Sequence, residues 1–337
     1  METDTRVGSS GWSYGKISKL KSLEYIGRIL NAVEVNTSFY GRLARWGKYA
    51  KKWGVRVKDD FHFALKVYRE VTHDSRFKPL ESRKSLSRDK MSLYEEMIKG
   101  CSLIGPKARL LLFQLPPSFK YNEENTAVIE DFFENVERNE GIDLAIEFRS
   151  PEWFAEENVS TIEDLLHRLD LIYVIVSSPM SHLEPLVVSK NNIAYLRLHG
   201  FTRWYATDYL IERSPREPDK PAIFDVLHAM TELERKGARR IYVFWDNTDI
   251  LTPEGIYYYP HLGHALALHY IWSGDEIHRE NLKDLEEIIA RYYTKEINQN
   301  TSRAIEKDLK ALDDLAGIFN KTRERLSRRS VTSNISQ

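Results

Sequence analysis

The chain has 337 residues, 42% hydrophobic and 29% charged, and its 49 basic and 50 acidic side chains leave a formal net charge of −1. That apolar fraction supplies a large core and excludes a disordered chain. Near-neutrality excludes a globally basic nucleic-acid coat, though not a local basic surface. A single cysteine, Cys101, excludes an intramolecular disulfide and a CxxC zinc site, so a reducing cytoplasm is the expected compartment. The polar start METDTRVGSSGW lacks the apolar stretch of a secretory signal. No run of about 18 apolar residues is present to span a membrane, so no membrane partner is expected. Only three glutamines, Gln114, Gln299 and Gln337, stand among many charges, a mildly thermophile-like composition.

Eight short β-branched or aliphatic runs recur through the first 250 residues. They are Arg6–Ser10, Ala32–Asn36, Phe61–Lys66, Arg109–Leu115, Leu144–Arg149, Leu171–Val176, Ile193–His199 and Arg240–Asp246. Several are too continuously apolar for a one-sided sheet and read as parallel strands buried on both faces. Helical spacing appears between or after them at Ile17–Leu30, Lys90–Ile104, Glu124–Val136, Glu156–Leu169, Ala222–Lys236 and Tyr258–Ile271. Strand followed by helix, with eight strands, predicts an α/β fold of the (β/α)8 TIM-barrel type. A doubly wound open sheet is the competing architecture. Between the sixth and seventh strands, Ser177–Asn192 carries Pro179 and Pro185 and no helical pattern, so an irregular crossover is expected there.

After about Ser273 two amphipathic segments follow, Asn281–Tyr293 and Ser302–Phe319, with charged outer faces. The organisation expected is a barrel over residues 1–274, a helical appendage over 275–327 and a disordered tail over 328–337. The stripes Leu282–Tyr292 and Ile305–Phe319 are expected to fold back on the barrel, with a homodimer through the same helices as the alternative. Lys321–Arg329 (KTRERLSRR) ends the appendage with five positive charges and one negative.

In such a barrel the C-terminal strand ends face the active site. Here they finish repeatedly in residues of chemical use. The first strand leads to Ser10 and Trp12, the second to Glu34, Asn36 and Tyr40, and the third to Lys66 with His73 soon after. The fourth ends at Gln114, the fifth at Glu147 and Arg149, the seventh at Arg197 and His199, and the eighth at Asp246 and Asn247. Glu34 and Glu147 lie inside apolar strands, where an unpaired carboxylate is costly. Two readings are open. In one, Lys66, Arg149 or Arg197 pair with the glutamates and plug the barrel. In the other, Glu34, Glu147, His199 and Asp246 are catalytic, with Glu147, His199 and Asp246 as ligands of Mg²⁺ or Mn²⁺. No tight ligand spacing such as HExxH occurs. His261 and His264 read as a polar pair on a helix, and Cys101 as packing.

Lys66, Arg149 and Arg197 around one mouth would make a site for phosphate or carboxylate. The aromatic residues Trp12, Tyr14, Phe39, Tyr40, Trp153, Trp204, Tyr205 and Tyr209 on the same loops suit sugar rings or unstacked bases. Trp12, Asn36, Tyr40, Lys66, His73, Gln114, Arg149, Arg197 and Asn247 are therefore the expected substrate-binding set. No GxGxxG, GxxxxGK[ST] or GxSxG is present.

These residues also carry a resemblance. The segments Gly8–Tyr14 (GSSGWSY), Val33–Tyr40 (VEVNTSFY), Phe61–Lys66 (FHFALK) with Val71–His73 (VTH), and Leu111–Phe119 (LLFQLPPSF) resemble the YecE-like family, the domain of unknown function numbered seventy-two. So do Ala145–Phe154 (AIEFRSPEWF), Tyr195–Gly200 (YLRLHG) and Val243–Thr248 (VFWDNT), and the match runs over about residues 6–270. The resemblance implies a TIM-type barrel related in shape to the xylose-isomerase and endonuclease-IV group, and brings no activity with it. Two departures stand out. The family usually has two asparagines where this chain has Asp246 and Asn247, and Thr252–Leu268 is longer and richer in tyrosine than is common there.

The function expected first is a phosphoester hydrolase on DNA or RNA, endonuclease-like and metal-assisted, with Arg149 and Arg197 neutralising the phosphate. The alternatives are a small-molecule enzyme acting on a sugar or sugar phosphate by hydrolysis or isomerisation, and a non-catalytic module that binds nucleic acid or protein.

Overall fold

Each of the eight apolar runs forms a strand: β1 (Asp4–Ser9), β2 (Ala32–Val35), β3 (His62–Lys66), β4 (Ala108–Gln114), β5 (Asp143–Glu147), β6 (Ile172–Ser178), β7 (Ile193–Leu198) and β8 (Arg240–Trp245). The structure is a computed structural model that describes residues 3–13, 17–73, 85–202, 204, 207–246, 250–251, 257–258 and 260–333. Neighbouring strands pair in parallel from β1 round to β8. β8 pairs back onto β1 over six residues, from Asp4 opposite Arg240 to Ser9 opposite Trp245. The sheet therefore closes on itself, which makes it a (β/α)8 barrel and rules out the doubly wound open sheet.

Side chains alternate along each strand, and this alternation builds two cores. One lies between the barrel and its helices. The other fills the barrel interior with Ala32, Ala64, Leu110, Leu112, Ala145, Val174, Val176, Tyr195, Tyr242 and Phe244. Gly8 lies where β1, β2 and β8 approach most closely. A Cβ there would sit 2.4 Å from the Ala32 carbonyl oxygen and 2.8 Å from the Phe244 ring, so only glycine lets the strands meet.

Helices cover the barrel as α1 (Leu23–Ile29), α2 (Leu43–Trp53), α3 (Met91–Ile104), α4 (Glu123–Asn135), α5 (Glu156–Arg168), α6 (Ile223–Arg235) and α7 (Pro260–Ser273). Two differences from the expected helices concern α1 and α2. The continuous helix expected over Ile17–Leu30 is a 3-10 turn (Ser18–Lys21) followed by α1, because Ser22 breaks out in extended geometry and caps the Tyr25 N–H at 3.0 Å. Helix α2 has no counterpart among the sequence-read helices. The β6–β7 connection contains no helix, as expected, but it adds a two-residue strand, Ser181–His182, antiparallel to the end of β6. Its His182 bridges Ser177 (Oγ to Nδ1, 3.0 Å) and Asp225 of α6 (Nε2 to Oδ2, 2.8 Å). Cys101 is buried, and burial pushes its thiol up to about 12.

The appendage is α8 (Glu276–Thr294) and α9 (Gln299–Ser333). The tail expected to be disordered from 328 is helical to Ser333, and 334–337 lie outside the described residues. Leu282, Leu285, Ile305, Leu309, Leu312, Ala316 and Phe319 are buried in the outer core, so the stripe of α9 and the first half of that of α8 pack within the chain, while Ile288 and Ile289 are half-buried and Tyr292 is exposed. Arg279 grips Asp313 at 2.8 and 2.9 Å, and Arg323 of α9 reaches Glu234 of α6 at 2.8 Å with its guanidinium over Trp272. No helix among the described residues is long and apolar enough to cross a membrane.

One flaw in this packing is testable. A cavity of about 470 Å³ between α8, α9 and the Leu210–Ile211 segment is lined by Leu282, Leu285 and Leu312, yet Glu286 enters it. Its Oε2 is buried with no hydrogen-bond partner among the described residues. Burial, helped by the charge of Asp308, pushes the carboxyl from 4.5 up to about 7. The folded chain thus holds a proton that the unfolded chain has released between those values. Stability falls as pH rises through that window. Glu286→Leu is expected to stabilise the protein by about 1–3 kcal/mol at pH 8 and by much less at pH 4, read by urea unfolding. An equal effect at both pH values would refute this account.

Candidate active site

Period-two alternation sends the strand-end polar residues inward. Glu34 follows Ala32 on β2, with Asn36 just past its end, Lys66 follows Ala64 on β3, and Gln114 follows Leu112 on β4. Glu147 and Arg149 follow Ala145 at β5, Arg197 and His199 follow Tyr195 at β7, and Asp246 follows Phe244 at β8. They converge at the C-terminal end of the barrel.

Arg197 sits at the centre. Its Nε and Nη2 donate to the two Glu34 oxygens at 2.7 and 2.8 Å, and its Nη1 donates to Glu147 Oε2. Glu34 also accepts from the Ser10 hydroxyl at 2.5 Å and from the Tyr195 phenol. Glu147 Oε1 accepts from Arg149 Nε. The Arg149 Nη2 reaches Gln114 Oε1 at 3.2 Å and His199 Nε2 at 3.0 Å, and its guanidinium lies over the Trp204 ring, 4.6 Å from the centroid. His199 Nδ1 meets Asp246 Oδ2 at 2.6 Å. A guanidinium only donates, so Nε2 is the acceptor in its contact with Arg149. In the neutral ring the proton then sits on Nδ1 and donates to Asp246, while Nε2 also lies 3.5 Å from Glu147 Oε1.

The charges follow from this geometry. Glu34 and Glu147 are fully buried. Burial alone would raise the Glu147 carboxyl, but Arg149 and Arg197 outweigh it and hold it well below the usual range. For Arg197, burial alone would lower the guanidinium, and Glu147 and Glu34 instead lift it well above its ordinary value. Burial would likewise raise Asp246, yet His199, with Arg197 and Arg149 behind it, leaves it lowered. Lys66 differs. Burial first, then the positive charge of Arg197, bring it down to about 7, and its ammonium rests 4.0 Å from the Phe39 ring centroid. Burial and Lys66 bring His73 down to about 4, and its Nδ1 is 2.9 Å from the Thr72 hydroxyl.

The structure thus brings Glu34, Glu147, Arg149, Arg197, His199, Asp246 and Gln114 into one network. Lys66 lies near it, placed by Ser38, whose hydroxyl donates to the Lys66 carbonyl at 2.6 Å. Asn36 donates to the Ser10 carbonyl at 2.9 Å, while its buried Oδ1 has no partner among the described residues. Trp12 and Tyr40 line a different cavity, beside α2. Asn247, Tyr14 and Tyr205 lie outside the described residues. Of the two polar helix histidines, His264 bonds Asp208 at 2.9 Å. Sequence reading passed over Tyr195, although its place two residues before Arg197 on β7 puts it on the same inward face.

The residues expected to ligate Mg²⁺ or Mn²⁺ do not suit a cation. Both Glu147 oxygens accept from arginines. His199 Nδ1 is turned to Asp246 and Nε2 faces Arg149, and the centre is already crowded by guanidinium groups. Among the described residues, no group of three or more His, Cys, Asp or Glu is placed to hold a metal ion. Glu34 and Glu147 are instead the anionic halves of buried ion pairs.

A family model described as "Protein of unknown function DUF72" matches residues 6–255. The UPF0759 protein YunF of Bacillus subtilis (strain 168) is 27% identical over 157 residues, which are 44% of this chain and 52% of that protein. The chain therefore spans about half the length of this curated relative. A crystal structure of a DUF72 family protein from Enterococcus faecalis V583 is similar at a TM-score of 0.57 with 19% identity, over 80% of this chain and 98% of that one. A DUF72 family protein from Thermotoga maritima MSB8 is similar at 0.55 with 21% identity, over the same shares. Both share the barrel fold.

Proposed function

The chain belongs to the DUF72 family, a family of unknown function built on a TIM barrel, and on that premise we propose that it is an acid–base enzyme that isomerises a small phosphorylated sugar at the barrel mouth. The observation that carries this reading is the His199–Asp246 pair. A buried carboxylate at 2.6 Å holds the neutral ring's proton on Nδ1 and turns Nε2 inward, toward Arg149 at 3.0 Å and Glu147 at 3.5 Å. That is the arrangement of a general base whose imidazolium form is stabilised by its partner. A substrate replaces the contact of Arg149 with Nε2, and the freed guanidinium, with Lys66, takes the negative charge that develops as the proton leaves carbon. The unpartnered Asn36 Oδ1 accepts from a sugar hydroxyl.

Isomerisation is favoured over glycoside hydrolysis because hydrolysis needs a carboxyl that keeps its proton near neutral pH. Glu147 is held well below the usual range by Arg149 and Arg197, against the upward push of burial. Metal-assisted cleavage of nucleic acid is not favoured at this network, because its glutamates are already engaged by arginine and Asp246 by His199.

The test is to incubate the protein with a panel of aldose and ketose phosphates in D2O and follow deuterium entry beside the carbonyl by proton NMR. At least one member of the panel is expected to exchange with wild type, and His199→Gln is expected to lose about 10²–10⁴-fold in rate. A panel without exchange, or exchange that survives in His199→Gln, overturns the proposal.

A further inference from the structure

Beside the mouth lies a cavity of about 670 Å³ that the acid–base network does not enter. Trp12 from the end of β1 and Tyr40 from the turn after β2 form one side. Arg45, Tyr49 and Lys52 of α2, with Arg56 just beyond it, form the other. Its floor is aromatic. Trp46 and Trp53 stack at 5.9 Å with ring planes 3° apart, and Trp12 meets Trp53 edge-on at 5.3 Å.

Three properties of this groove need an occupant. Tyr40 and Tyr49 hold large rings in solvent, at 70% and 53% exposure. The walls carry three cations and no carboxylate. Among the described residues, Arg45 and Lys52 have no ion-pair partner, and only Arg56 has one, Glu24 at 3.2 Å. Exposed rings interleaved with cations, two of the three without an ion-pair partner and a fourth cation, Lys48, 4.9 Å over the Tyr49 ring, match a polyanion that carries planar groups at intervals. A sugar phosphate would use the charges but leave the row of rings unexplained. An acidic peptide would likewise use the charges and not the ring faces.

We propose that this groove binds a short single-stranded nucleic-acid segment, with bases stacked on Tyr40 and Tyr49 and phosphates held by Arg45, Lys52 and Arg56. The inference is independent of the isomerase reading, since none of these side chains belongs to the His199 network.

The test is fluorescence anisotropy of a labelled twelve-nucleotide oligothymidine titrated with the full chain at several salt concentrations. Saturable binding is expected, with log K falling against log salt at a slope of about −2 for three phosphate contacts. Tyr49→Ala is expected to weaken binding about tenfold. Lys52→Glu and Arg45→Glu should each weaken it and flatten the salt slope. All three positions are exposed, so their thermal melts should match wild type. His199→Gln should bind as wild type does. Absence of binding by the wild type, binding indifferent to all three groove variants, or equal displacement by polyglutamate overturns the proposal.

Discussion

Arg197→Met is expected to destabilise the protein by about 3–5 kcal/mol at pH 8, the largest effect of any single substitution in the site. Arg197 donates to Glu34 through two nitrogens and to Glu147 through a third, and both carboxylates are fully buried. Without it, Glu34 keeps only the Ser10 and Tyr195 hydroxyls and Glu147 keeps Arg149. Two carboxylates would then share a dry interior with one counter-charge between them. The penalty should depend on pH with a definite sign. In the wild type Glu147 is held well below 4.5 because Arg149 and Arg197 outweigh burial. It therefore contributes stability above its unfolded value, and that stability is lost as the pH falls through the folded one. In the variant the buried carboxylates lack Arg197, so they cost most when ionised and least when protonated. Urea unfolding at pH 8 and at pH 4.5 should show the deficit shrinking in acid. A loss below about 1 kcal/mol at pH 8 would mean that water enters the barrel and solvates the glutamates. The further change of Glu34 and Glu147 to glutamine should recover part of the loss, because no uncompensated charge is then left buried.

Asp246→Asn is the second large effect, on rate and not on folding. The amide oxygen can still accept from His199 Nδ1, so the ring stays in place and stability should change by no more than about 1 kcal/mol. The negative charge is gone, and with it the stabilisation of the imidazolium formed when Nε2 takes a proton. Asparagine can also present its NH2 to the ring and favour the other tautomer, which places the proton on Nε2 and removes the base. A loss of about 10²–10⁴-fold in exchange rate is expected, with a smaller change in the substrate concentration for half-maximal rate. Full activity in Asp246→Asn would show that the His199–Asp246 bond only packs the mouth.

The barrel was legible because its signals are local. A strand buried on both faces needs an uninterrupted apolar run, and eight such runs stand in the sequence, each within a residue or two of the observed strand. The helices followed from 3.6-residue spacing. Helix α2 escaped because LARWGKYAKKW presents its apolar residues as tryptophan and tyrosine among lysines and a glycine, so the stripe is carried by aromatic rings that also suit a loop. The split of Ile17–Leu30 escaped because one serine cap, invisible to periodicity, ends the first turn and begins α1.

The site was legible as a list and not as an arrangement. Strand polarity put Glu34, Lys66, Glu147, Arg149, Arg197, His199 and Asp246 at one end of the barrel, since inward-facing positions recur every second residue and the strands are parallel. Whether the glutamates would hold a cation or an arginine depended on which side chain reached them first, across 163 residues from Glu34 to Arg197 and 50 from Glu147 to Arg197. No spacing encodes that choice. It is made when β8 closes onto β1 and fixes the distances across the interior, where the low dielectric makes every buried charge find its nearest opposite. The sequence by itself determined the strands, their order, the family and the identity of the polar residues at the mouth. Only the tertiary structure decided that Arg197 takes both glutamates, that His199 is left to Asp246, and that Trp12 and Tyr40 belong to a separate aromatic groove, because those partnerships are made across the closed sheet and not along the chain.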